Sequence, residues 1–124
     1  MVATVYTTSG AGVVVDLIDE TIAAATMFIQ WGTGGSSTGA TATAGDTALF
    51  AAATESLATT AVSQPSSDTN RWVGTITAGT AKTIEEAALF TASSGGTMVI
   101  HGNFGGIALA TGDSIQFTVS LQQT

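Results

Sequence analysis

Thr83–Phe104 reads TIEEAALFTASSGGTMVIHGNF. Two apolar runs flank the turn Ser93-Ser94-Gly95-Gly96, and two adjacent carboxylates, Glu85 and Glu86, sit inside the first run. Strand-forming runs on either side of a glycine turn predict a β-hairpin. The acidic pair then either points outward to a partner or is neutralised inside. Little else in the chain offers reactive chemistry, because its polar side chains are mostly hydroxyls and carboxylates.

Working outward, the β signal persists. Ser114–Gln122 (SIQFTVSLQ) alternates strictly, with Ile115, Phe117, Val119 and Leu121 on one face, which predicts one buried and one wet face. Arg71–Ala78 places Trp72, Gly74, Ile76 and Ala78 together, and Thr97–His101 turns Met98 and Ile100 inward. Gly102–Gly106 should bend the chain before a short Ile107–Ala110 strand, and Thr111-Gly112-Asp113 is a turn. Upstream, Val2–Thr7, Val13–Ile18, Thr21–Trp31 and Ser56–Ser63 read as strands, and Gln64–Asn70, with the only proline, as a turn. Gly32–Gly45 has no side chain larger than threonine and reads as a long loop. Asp46 stands at an N-cap position before Thr47–Glu55, which predicts two turns of helix. The expectation is all-β: a single antiparallel β-sandwich, jelly-roll-like, with one short helix. Residues 1–12 form an N-terminal arm or first strand, and residues 13–124 form the one sandwich domain.

The chain of 124 residues is 44% apolar and only 9% charged, against about 25% charged in an average domain. Its surface must therefore be built from Thr, Ser, Gly and Ala, which suits a protein packed against copies of itself or a partner. Net charge is −7, with Arg71 and Lys82 the only cations besides His101. That argues against nucleic-acid binding and against adhesion to anionic membranes, both of which need clustered Lys or Arg. The absence of cysteine removes disulfides, thiolate metal sites and thiol nucleophiles. No basic leader precedes an apolar core and no apolar run approaches a membrane span of ~20 residues, so a soluble product outside the ordinary secretory route is expected.

Candidate chemistry is sparse. His101, the sole imidazole, alternates with Met98 and Ile100 and is expected on the outer face, solvated or at an interface. Glu85 and Glu86 should point to opposite faces of a strand. A two-carboxylate glycosidase needs both groups converging on one bond, roughly 5–10 Å apart. A structural ion pair with Arg71 or Lys82 is the expected role. Asp16, Asp19 and Glu20 lack the spacing of a calcium loop, and Gly32–Gly45 lacks the Gly-Lys-Ser/Thr ending of a phosphate loop. No metal or cofactor is expected. Asp46 reads as a helix cap and Asp113 as a turn residue. Trp31, Trp72, Phe50, Phe90, Phe104 and Phe117 read as core, with either tryptophan an alternative glycan platform.

The order of segments WGTGG (Trp31–Gly35), GDTALF (Gly45–Phe50), RWVGTI (Arg71–Ile76), TIEEAALF (Thr83–Phe90), GGTMVIHGNF (Gly95–Phe104) and TGDSIQFTVSL (Thr111–Leu121) resembles small structural proteins of tailed bacteriophages. Similar orders occur in tail-fibre and collar modules and in head-decorating proteins, with a glycine commoner where this chain has Ala88. The resemblance implies a virion component without a catalytic site. No shaft or coiled coil accompanies the sandwich, which favours a decoration or cement protein on the outer capsid surface. Such proteins commonly bind the major capsid protein as homotrimers bridging capsomers. A tail-fibre or receptor-binding module holding a glycan through Gln64–Asn70 or Asn103–Gly106 is the alternative, and a glycosidase using Glu85 or Glu86 a distant third.

Overall fold

The computed structural model describes residues 3–18 and 26–122. In order these form β1 (Ala3–Tyr6), α1 (Thr8–Ile18), β2 (Phe28–Gly32), a 3-10 turn (Ser36–Thr38), β3 (Ala58–Thr59), β4 (Ala61–Ser66), β5 (Thr69–Thr77), β6 (Lys82–Phe90), β7 (Met98–Leu109) and β8 (Ser114–Gln122). The strands make two antiparallel sheets, one ordered β1-β7-β6-β2-β3 and the other β4-β5-β8. The fold is all-β with one short helix, as the alternation predicts.

The β6–β7 hairpin forms as read, turning through Gly95 at φ 67°. Register assigns its side chains to two unlike faces. Leu89 pairs with Ile100 on one side and Ile29 on the other, and Ala87 lies beside Trp31, so these side chains share one face. That face packs on Trp72 and Ile76 of β5 and on Ile115, Phe117, Val119 and Leu121 of β8. Trp31 meets Phe117 edge-to-face at 6.4 Å and 82°. Glu86, Ala88, His101 and Asn103 occupy the other face of the same sheet, which is covered by residues 33–57. Three layers result, with the five-stranded sheet in the middle.

Where local propensity gave the wrong element, tertiary bonding supplies the reason. Val13–Ile18, expected as a strand, belongs to α1. Thr7 caps this helix: its Oγ1 accepts the Gly10 N–H at 2.9 Å and donates to Met98 O. A Cβ at Gly10 would lie 2.5 Å from Val99 O, so glycine lets α1 lie directly on β7. The expected helix Thr47–Glu55 is absent. Its Phe50 and Ala51 N–H groups donate to Glu86 and its Ala53 N–H to Trp31 O, so the sheet takes the donors a helix would have used. β7 runs through the predicted bend at Gly102–Gly106, where only the register shifts. Ser56–Ser63 divides between β3 and β4, and the turn at Gln64–Asn70 narrows to Ser67–Asp68, with Pro65 inside β4. Residue 12 falls within α1, and of the strand read over Thr21–Trp31 the described part gives Phe28–Gly32. Asp19, Glu20 and residues 21–25 lie outside the described residues.

Leu89 is wholly enclosed between the sheets, whereas Val15 is 62% exposed on α1. Leu89→Ala should therefore cost about 2–5 kcal/mol by urea unfolding, and Val15→Ala within about 0.5 kcal/mol. Equal effects would contradict the layer assignment.

Candidate functional site: a buried carboxylate and histidine clamp

Residues 33–57 contain no strand and only one 3-10 turn, so beyond a few backbone bonds, such as Ala53 N–H to Trp31 O, side chains hold them down. The largest anchor is Glu86, fully buried on β6. Its Oε2 accepts the Ala51 N–H at 2.7 Å and the Gly34 N–H at 3.3 Å. Its Oε1 accepts the Phe50 N–H at 2.8 Å and His101 Nε2–H at 2.9 Å. On the far side of the ring, His101 Nδ1–H donates to Asp46 Oδ2 at 2.7 Å. Asp46 also accepts the Thr43 N–H and hydroxyl, both at 2.8 Å. The Phe50 ring lies 4.9 Å from the imidazole, centroid to centroid, and leans over it at 55°.

Further anchors surround this clamp. Glu85 takes the Ser37 N–H at 2.6 Å and the Ser37 hydroxyl at 2.5 Å. Asn103 Oδ1 accepts the Ala42 N–H at 2.8 Å. Glu55 returns the far end of the segment to the sheets: it accepts from Trp31 Nε1 at 2.7 Å, from the Gly79 N–H at 3.1 Å and from Lys82 Nζ. Glycine permits the close approach, because a Cβ at Gly32 would lie 2.5 Å from both Ala51 O and Glu86 Oε2.

Several expectations are corrected by this arrangement. His101 is not on a wet face; it is fully buried, because its face of the sheet is roofed by residues 33–57. Glu85 and Glu86 do not serve opposite faces. Pairing runs Ile84↔Ile107 and resumes at Glu86↔Asn103, so the register shifts around Glu85 and the alternation of β6 breaks there: Ile84 packs in the core between the sheets, whereas both carboxylates bind the same covering segment. Neither pairs with Arg71, which is exposed on β5, or with Lys82, whose partner is Glu55. Asp46 caps no helix. Phe50 is 39% exposed, whereas Trp31 and Trp72 are core residues as expected. Asp113 serves its turn, accepting the Ala110 N–H at 2.8 Å.

Electrostatics follow from the geometry. Ionised carboxylates only accept, so an imidazole between two of them must carry a proton on each nitrogen. Burial alone pulls the His101 pKa down, but hydrogen bonds to Glu86 and Asp46, with their charges, override it and leave it raised. Burial alone raises Glu86, yet His101 and the Ala51 and Phe50 N–H groups bring it below the usual value. Asp46 is lowered in the same way by the Thr43 N–H and His101. Glu55 is lowered to about 2, chiefly by Lys82, against its burial.

Chemically the cluster is self-contained. Both ring nitrogens are bonded to carboxylates, so neither is free to take a proton from a nucleophile. The ring lies between the carboxylates, so the three groups do not converge on one point. No protein-family model matches the chain, and no curated protein and no solved structure matches it either.

The sign of the pH dependence is fixed by these shifts. A raised His101 stabilises the fold fully below its unfolded value, near pH 6.5, and that contribution is lost as pH rises through the folded value. Lowered Asp46 and Glu86 contribute fully above their unfolded values, near pH 4, and are lost as pH falls through the folded ones. Urea stability should peak between about pH 4.5 and 6.5 and then decline by up to about 1.4 kcal/mol per pH unit on the alkaline side. His101→Gln should flatten that alkaline limb; a flat wild-type profile from pH 6.5 to 9 would contradict the clamp. Glu86→Gln should cost about 3–5 kcal/mol at pH 6, as for breaking a buried ion pair.

Proposed function

We propose that this protein is a non-enzymatic structural protein of a virion, a decoration or cement protein that binds the outer surface of a phage head and joins neighbouring capsomers. The observation that carries the reading is where the ionisable groups lie. Glu55, Glu85, Glu86, His101 and Asp46 are engaged in holding residues 33–57 on the sheet. What faces solvent on β4 and the outer side of β8 is Ser, Thr, Gln, Ala, Val and Pro without a charge, with Arg71 of β5 exposed between them. Such a surface suits broad contact with protein neighbours.

The order of segments supports the same reading. Asp46, Glu86 and His101 fall in three separate stretches that carry the resemblance to phage structural proteins: GDTALF, TIEEAALF and GGTMVIHGNF. Trp31 and Trp72 are core residues, which takes away the tryptophan platform a glycan-binding tail module would have used. The mechanism is mechanical: binding an assembled shell but not its dissociated subunits shifts the equilibrium toward the shell.

Purified protein mixed with expanded heads of the phage that encodes it should co-sediment to saturation and raise the temperature at which the heads release DNA. Folded protein that leaves the heads unbound and their melting unchanged would refute the reading.

A further inference from the structure

Among the described residues, the sheet edges are of two kinds. β3 is two residues long, β1 is four, and β4 carries Pro65 and a break in register between Ser63 and Ser66. Short length, proline and bulges keep an edge from recruiting another strand. β8 has none of these: its nine residues pair in unbroken register with β5, contain no proline and no charge, and have no strand on the other side.

An apolar groove of about 250 Å³ runs along that free side. Phe117 and Val119 stand in its wall, and Ala87, Ile100 and Phe104, with Thr4 of β1, are among the other residues that line it. Its origin is a mismatch between the layers, three strands over five. β5 lies over β2 and β3, so β8 ends the upper layer before β7 and β1 are covered. Phe117 and Val119 consequently stay half-buried, while Leu89 beneath is enclosed.

We propose that the β8 edge takes up an extended segment of a partner protein as a fourth strand, apolar at alternate positions and basic at its ends. Backbone pairing along Ser114–Gln122 supplies affinity, and every second side chain of the incoming strand enters the groove. Charge selects the ends. Exposed Asp113 stands before the first residue of β8, and exposed Asp68 stands at the last, where it accepts from Gln122 Nε2 at 2.9 Å. A second copy fits poorly. Antiparallel β8–β8 pairing would set Asp113 of each copy near Asp68 of the other, and the projecting β7 and β1 of the two copies would collide. The inference stands apart from the capsid reading, since strand capture and shell binding can fail independently.

The test uses 15N-labelled protein and the synthetic peptide KTVTVTVTK, followed by amide shifts and hydrogen exchange. The expected result is saturable binding with shifts and new protection in Ser114–Gln122. The same peptide N-methylated at alternate residues should fail to bind. An acid-ended peptide, ETVTVTVTE, should bind at least about tenfold more weakly. Val119→Lys, an inward charge in the groove, should weaken binding by a similar factor in a variant whose spectrum stays dispersed. No binding at millimolar peptide, binding away from β8, equal affinity for the N-methylated peptide, or self-association through β8 without peptide would each overturn the proposal.

Discussion

A cation buried between two carboxylates holds the outer layer of this protein to its central sheet. Residues 33–57 are rich in Gly, Thr and Ala, bury few large side chains, and by composition would be left a solvated loop. Burial of a charge is costly unless it is paired and hydrogen-bonded throughout. Here the pairing is complete. His101 donates from both nitrogens, Glu86 collects three backbone N–H groups besides, and Asp46 is satisfied by Thr43. Among the described residues no buried side-chain polar atom lacks a partner. The layer is thus held by a polar network that stands or falls as a unit.

That network explains which parts of the fold were legible in the sequence. Strands with one apolar face, such as Ser114–Gln122 and Arg71–Ala78, declare themselves by alternation, because burial on that face is the main force on them. The β6–β7 hairpin was readable for the same reason, with Gly95 marking the turn. Alternation fails on the other face of the middle sheet. There Glu86, His101 and Asn103 follow a polar pattern that looks solvent-facing, and only the roof of residues 33–57 makes it an interior. The roof is invisible to periodicity, since its backbone donors are matched to carboxylates 35 to 52 residues away in sequence. The same long-range bonding removed the helix predicted at Thr47–Glu55. At Val13–Ile18 a run of β-branched residues outweighed, in the reading, the Thr7 cap that decides the structure.

The two faces of the middle sheet divide the work of the molecule. One is an apolar interface that sets stability through Ile29, Trp31, Leu89 and Ile100. The other draws Glu85, Glu86 and His101 into an interior lattice of hydrogen bonds and leaves β4 and the outer side of β8 without a charge. Among the described residues the upper layer stops at β8, and that edge is where the proposed strand partner would add. Asp46, Glu86 and His101 come from three separate stretches of the chain, which together supply the parts that pin a glycine-rich segment to a sheet.

His101 is the only histidine in the chain, so one imidazole signal reports the clamp directly. Long-range 1H–15N correlation of that ring, followed through a pH titration, tests the central claim. The account predicts a ring protonated on both nitrogens at pH 7, with two slowly exchanging N–H protons and a midpoint above the ordinary histidine value of about 6.5. A neutral ring at pH 7, titrating at or below that ordinary value, would contradict it.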